Sequence, residues 1–153
     1  APRATAPMKQ IVQNPGSGKL ELVEDAFRTL KVSLVVPDEG TLRDRVTAIL
    51  EQVAGLVQES TYSACIPALI DAAERDPKVR DFHSRFSAER RAVLVDLLGD
   101  AVDTGELPPT TDPELLADAL VGPIVLRRLM LAQSVEPGIA KSLVDQLLPD
   151  QAD

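Results

Sequence analysis

The sequence has no tryptophan, one tyrosine and three phenylalanines in 153 residues. A core must therefore be built from Leu, Val, Ile and Ala. A single cysteine, Cys65, has no partner within the chain, which excludes a disulfide framework and a cysteine-rich metal site. A single histidine, His83, leaves catalytic triads and His-based metal centres without ligands. No apolar run approaches the ~20 residues a membrane helix needs, and no signal-peptide pattern is present. These absences lead us to expect a reduced, cytoplasmic domain.

Hydrophobic residues make up 44% of the chain and charged residues 26%, within the range of globular proteins rather than disordered ones. The net charge of -8 is uneven: residues 1–19 carry +3 and the rest -11. So acidic a body repels phosphate backbones over about a Debye length and is a poor nucleic-acid surface by itself.

Residues 1–18 hold three prolines, two glycines and no periodicity, and are expected to form a flexible arm ahead of a domain over 19–150. Gly16-Ser17-Gly18-Lys19 lacks the preceding strand, the glycine spacing and the following Ser or Thr of a phosphate loop, so a turn is the better reading. From there the pattern is helical. Leu20, Val23, Phe27, Leu30 and Leu34 share one face, and residues 37–40 end that helix. Thr41 is placed to cap a helix whose stripe is Leu42, Val46, Ile49, Leu50, Val53 and Val57. After a break at Glu59-Ser60-Thr61, Tyr62, Ile66, Leu69, Ile70 and Ala73 align, with a kink expected at Pro67.

Three later boundaries, Asp76-Pro77, Asp112-Pro113 and Glu136-Pro137, each put an acid before a proline, which suits a helix start. Gly105 and Pro108-Pro109 separate the first two of these helices. Alternating strand patterns do not occur. We expect an all-α fold of six helices.

The stretch Leu115–Leu131 is apolar nearly all round, apart from Asp118 and Arg127-Arg128, and so needs cover on more than one side. Two readings are open. The helix is the centre of a monomeric bundle, or it joins the last helix in an intersubunit four-helix bundle across a two-fold axis. The second reading makes Leu116, Leu120, Ile124, Arg127, Leu131, Leu143 and Leu147 the seam of a homodimer, with Arg127 paired there.

For ligands, Tyr62, Ile66, Phe82, His83, Phe86 and Arg90 are the candidates. His83, Phe86 and Arg90 share a helical face and would give an aliphatic cavity a polar end suited to an amphipathic or aromatic molecule. The plainer alternative is that Arg90 pairs with Glu89 or Asp81 in water and His83 is filler. Cys65 with His83 lacks an orienting group and an oxyanion loop, so catalysis is not expected. Asp96, Asp100 and Asp103 read as a solvated face rather than metal ligands. No cofactor is expected.

The segments Arg91–Leu98, Gly105-Glu106-Leu107, Asp112–Leu120 and Gly122-Pro123-Ile124, with residues 38–50, resemble the C-terminal domain of tetracycline-repressor (TetR) family transcriptional regulators. The resemblance spans about residues 19–149. Lys19, Glu21 and Leu22 are similar to the fragment that closes the family's DNA-binding part, whose preceding three helices residues 1–18 do not contain. The resemblance implies a dimeric body that binds a small hydrophobic effector and meets operator DNA only through a helix-turn-helix absent from this chain. It implies no enzyme and no membrane partner. The alternative reading is a stand-alone helical dimerisation or scaffold module with neither ligand nor DNA.

Overall fold

The computed structural model of the protein describes Phe27 and residues 33–149. Among them there is no strand. The elements are α1 (Leu42–Gln58), α2 (Ser60–Arg75), α3 (Pro77–Asp103), α4 (Pro113–Val125), a π-helical turn (Leu126–Met130) and α5 (Ile139–Leu147). The expected arm over residues 1–18 lies outside the described residues.

So does most of the expected helix from Leu20. Phe27 is helical and buried, but Leu34 is not in a helix: residues 33–37 are irregular. The physical reason is local. The Val35 N–H donates to Gln52 Oε1 at 2.8 Å, and Gln52 Nε2 donates back to the Val35 carbonyl at 2.7 Å. Backbone groups bound to a side chain cannot also join a helical ladder. Val36, which precedes Pro37, is steered away from the α region as well.

The start of α1 shows the expected cap, in reciprocal form. The Asp44 N–H donates to Thr41 Oγ1 at 3.2 Å, while the Thr41 N–H donates to Asp44 Oδ2 at 3.0 Å. Two first-turn donors are thereby satisfied by one pair of side chains. The break before α2 is a single residue, Glu59, whose carboxylate accepts from the Thr61 and Tyr62 N–H groups. Pro67 sits within α2 on its exposed side.

Of the three acid–proline boundaries, two start helices. Asp76 accepts from the Lys78 N–H at 2.9 Å, and Asp112 caps α4 by accepting from Glu114 and Leu115. The third does not. Glu136-Pro137-Gly138-Ile139 is a turn closed by the Ile139 N–H on the Glu136 carbonyl, with Gly138 at φ 85°, ψ 0°. Proline followed by a left-handed glycine is the type II arrangement, and α5 starts only after it.

The chain divides into two compact units. One holds Phe27 and residues 59–89; the other holds residues 34–58 and 90–149. The first has an aromatic-centred core in which Phe27 lies edge-on to Phe86, with ring centres 4.9 Å apart, and to Phe82 at 5.8 Å. Cys65, Leu69, Ala72, Ala73 and Val79 complete it.

In the second unit α1 packs against α4 and α5, which also pack against each other. Val46, Ile49 and Leu50 from α1, Ala117, Leu120 and Ile124 from α4, and Ala140 and Val144 from α5 are buried. Two arginines tie the ends together. Arg43 donates to the Val144 and Leu148 carbonyls at the C-terminus of α5, where a cation also meets the negative end of the helix dipole. Arg91 holds Asp118 through two bonds of 2.7 and 3.0 Å and reaches the Glu114 carbonyl at 3.1 Å. At the end of α3, Gly105 is left-handed at φ 82°, and the Leu107 N–H returns to the Ala101 carbonyl as the Leu107 side chain turns inward.

Candidate functional site

The six residues expected to line a ligand site fall in two places. Tyr62, Ile66, Phe82, His83 and Phe86 belong to the first unit, whereas Arg90 belongs to the second. Phe82 and Phe86 are buried beside Phe27, and Ile66 packs on the same cluster. Tyr62, His83 and Arg90 are half-buried. The described part of the first unit therefore presents an apolar aromatic centre with a phenol and an imidazole partly open to solvent. Phe27 joins the other two rings in a near-equilateral triangle, Phe82 and Phe86 being themselves 5.6 Å apart. Its position on an apolar stripe placed it in a core, but nothing in the spacing said that it would meet the other two phenylalanines.

The α4 helix sorts the seam candidates by face. Leu120 and Ile124 are 0% exposed inside the chain's own second unit, and Leu116 and Leu143 are half-buried. Arg127 is exposed, as are Leu131 (52%) and Leu147 (38%). The large apolar side chains that α4 and the π turn leave in water are Leu115 (67%), Leu126 (48%) and Met130 (75%). With Ala119 and Gly122, both exposed, they form one continuous stripe. A sequence apolar all round contains this stripe too, but the period does not say which side meets the chain's own core.

Described residues of the second unit, Thr41, Leu42, Arg43, Glu106, Leu148 and Pro149, line a cleft of about 290 Å³. An open groove runs beside Asp96, Asp100, Asp103 and Asp112. Among the described residues, no group of three His, Cys, Asp or Glu side chains is placed to hold a metal ion. Cys65 is buried in the core of the first unit. No described helix is long and apolar enough to cross a membrane.

Among the described residues, three carboxyls lie below their ordinary values, each for a structural reason. The Thr41 hydroxyl, then its N–H, lowers Asp44; the Tyr62 and Thr61 N–H groups lower Glu59; the Arg91 guanidinium lowers Asp118. All three stabilise a helix start or an inter-helix tie.

This architecture has known counterparts. Residues 36–147 match the family described as "Tetracyclin repressor-like, C-terminal domain". The chain is 31% identical over 131 residues to the uncharacterized HTH-type transcriptional regulator YdeS of Bacillus subtilis (strain 168), covering 84% of this chain and 65% of YdeS. It is 27% identical over 142 residues to the uncharacterized HTH-type transcriptional regulator Rv1556 of Mycobacterium tuberculosis (strain ATCC 25618 / H37Rv), covering 92% of this chain and 69% of Rv1556. A crystal structure of the TetR family transcription regulator SCO0332 shares the fold with a TM-score of 0.69 at 23% identity, over 93% of this chain and 87% of that one. The all-helical architecture and the match over residues 36–147 together establish that this chain belongs to the tetracycline-repressor family of transcriptional regulators, a family of regulators and not of enzymes, and that it carries the family's C-terminal regulatory domain.

Proposed function

We propose that this chain is the effector-sensing and dimerisation part of a TetR-like regulator. It binds a small, largely apolar molecule, and that binding controls operator recognition by a helix-turn-helix segment outside this chain. The observation that carries the reading is the match of residues 36–147 to a C-terminal regulatory domain, in relatives named as HTH-type regulators of which this chain spans 65–69%.

The effector's contacts are assigned within the first unit, to Ile66, Phe82 and Phe86 for its apolar body and to Tyr62 and His83 for a polar end; Arg90, a residue of the second unit, is not part of that set. The exposed apolar stripe on α4 and the π turn supports a homodimer, with Arg127, Leu131 and Leu147 as further contacts and Leu116 and Leu143 at the margin. A regulator of operator DNA works in the cytoplasm. Coupling in such a device is a difference in effector affinity between two arrangements of the dimer, ~1–3 kcal/mol in typical cases.

Two measurements test the reading. Light scattering should return twice the mass of one chain. A thermal-shift screen of hydrophobic acids and aromatic metabolites should raise the melting point, since a ligand at 100 times its dissociation constant adds ~2.7 kcal/mol. The gain should shrink in Tyr62→Phe or His83→Ala. A dimer that responds to no compound in the screen would be a dimerisation module without a sensor.

A further inference from the structure

Among the described residues the chain passes between its two units at three places, and these differ in stiffness. At Glu89-Arg90 it does so inside α3, and at Gln58-Glu59 through the single residue that separates α1 from α2. Helical backbone rises about 1.5 Å per residue, so neither of these crossings changes length without breaking helix. The third, at Ser33-Leu34, leads into irregular chain over residues 33–37. Its length is adjustable.

From Leu34 to Gly40 this strap runs back along α1 and is tied down by side chains of α1. Gln52 accepts from the Val35 N–H at 2.8 Å and donates to the Val35 carbonyl at 2.7 Å. Its Nε2 also donates to the Ala48 carbonyl at 3.1 Å, which fixes the amide in place. Arg45 Nε donates to the Pro37 carbonyl at 3.0 Å, and Asp44 accepts from the Thr41 N–H at 3.0 Å. Val35, Pro37 and Thr41 are thus met in turn by Gln52, Arg45 and Asp44, so strap and helix run antiparallel. Gly40, at φ 105°, lies where the chain reverses into α1. Two consecutive valines followed by proline favour extended backbone, and the strap's own sequence suits this form.

The ties are not equally firm. Val35 is 65% exposed and both of its bonds lie in water, whereas the Arg45 bond to Pro37 is partly buried. Solvent-exposed backbone bonds with few apolar contacts around them open first. We propose that Gln52 is a latch on the strap. Closed, it fixes the point at which the segment carrying Phe27 enters the second unit. Open, it releases residues 34–36, up to ~10 Å of extended chain, while Arg45 still holds Pro37. The latch thereby sets the slack on that segment, and with it the ordering of Phe27 against Phe82 and Phe86. Its purpose rests on the sensing reading above: an effector held at the aromatic cluster is coupled to the second unit for as long as the latch stays closed.

The test uses the whole chain with no ligand added. Amide hydrogen exchange is followed by NMR in the wild type, in Gln52→Ala, and in Glu51→Ala as the control one residue away on α1. Alanine is the best helix former, so α1 should persist in both variants, which circular dichroism verifies. Gln52→Ala should speed exchange of the Val35 amide roughly tenfold or more and should also speed that of Phe27. The buried residues Ile49, Leu50 and Leu98 should exchange as in the wild type. Glu51→Ala should match the wild type at all five positions.

A Val35 amide unaffected by Gln52→Ala overturns the latch. Acceleration at Val35 with Phe27 unchanged reduces the two bonds to a local tie and overturns the proposal as well. Equal acceleration at all five amides is general destabilisation, and the same pattern in Glu51→Ala is an effect of α1 rather than of Gln52; either result overturns it. No effector enters this measurement, so its failure leaves the sensing reading standing, and the thermal-shift screen judges that reading separately.

Discussion

Replacing Leu120 by alanine tests how α4 divides its two faces. Leu120 is 0% exposed in the second unit, between neighbours from the same chain, whereas Leu115, five residues earlier, is 67% exposed. Truncating a fully buried leucine removes its transfer energy and leaves a cavity, together ~2–5 kcal/mol. Against a total stability of ~5–15 kcal/mol, that is a large fraction. At ~3 °C per kcal/mol for a chain of this size, melting should fall by about 10 °C.

Leu115→Ala removes atoms already in water and should change the stability of the single chain by less than ~0.5 kcal/mol. Urea unfolding followed by far-ultraviolet circular dichroism supplies the numbers. Repeating it at several protein concentrations separates subunit association from the intrachain part, because only association depends on concentration. A Leu120→Ala loss below ~1 kcal/mol, or an equal concentration-independent loss in Leu115→Ala, would refute the assignment of the inner face.

Three further outcomes follow from named contacts. Asp44, Glu59 and Asp118 titrate below the 3.8 (Asp) or 4.5 (Glu) of an unperturbed carboxyl, so their contribution is complete above those values and is lost as pH falls through the lowered ones. Glu59→Gln should thus narrow the gap between melting points at neutral and strongly acid pH; an unchanged gap counts against the cap. In Arg91→Gln, the Asp118 carboxyl should move back up toward 3.8 in a carboxyl-carbon NMR titration, since the bonds from Arg91 are what lower it. Gly105→Ala should cost ~1–2 kcal/mol in urea unfolding, because φ 82° there forces a side chain into the left-handed region; a neutral substitution would mean that the helix end can rearrange.

Much of the fold is legible in local chemistry. Thr41 with Asp44, Asp112 before Pro113, and Gly105 after Asp103 act within three or four residues of themselves, so their meaning survives any tertiary context. Glu136-Pro137 shows the limit of such reading. Its composition suits a helix start, but the left-handed Gly138 that follows turns it into a type II turn. The irregular stretch around Val35 depends on Gln52, seventeen residues away, and no local pattern announces that pairing.

The candidate sites divide in the same way. The sequence by itself determined that the helices are aliphatic and amphipathic, where most of them start and stop, and that α4 is too apolar to stand in water uncovered. These follow from side-chain period, capping groups and proline, all short-range causes. Only the tertiary structure decided that Phe27 packs against both Phe82 and Phe86, that Arg90 belongs to a different unit from His83, and that Leu120 and Ile124 face inward while Leu115, Leu126 and Met130 face out. A helix apolar on every side has no preferred face of its own. The choice is made by the elements packed against it, here α1 and α5, whose approach is a long-range event that no periodicity encodes.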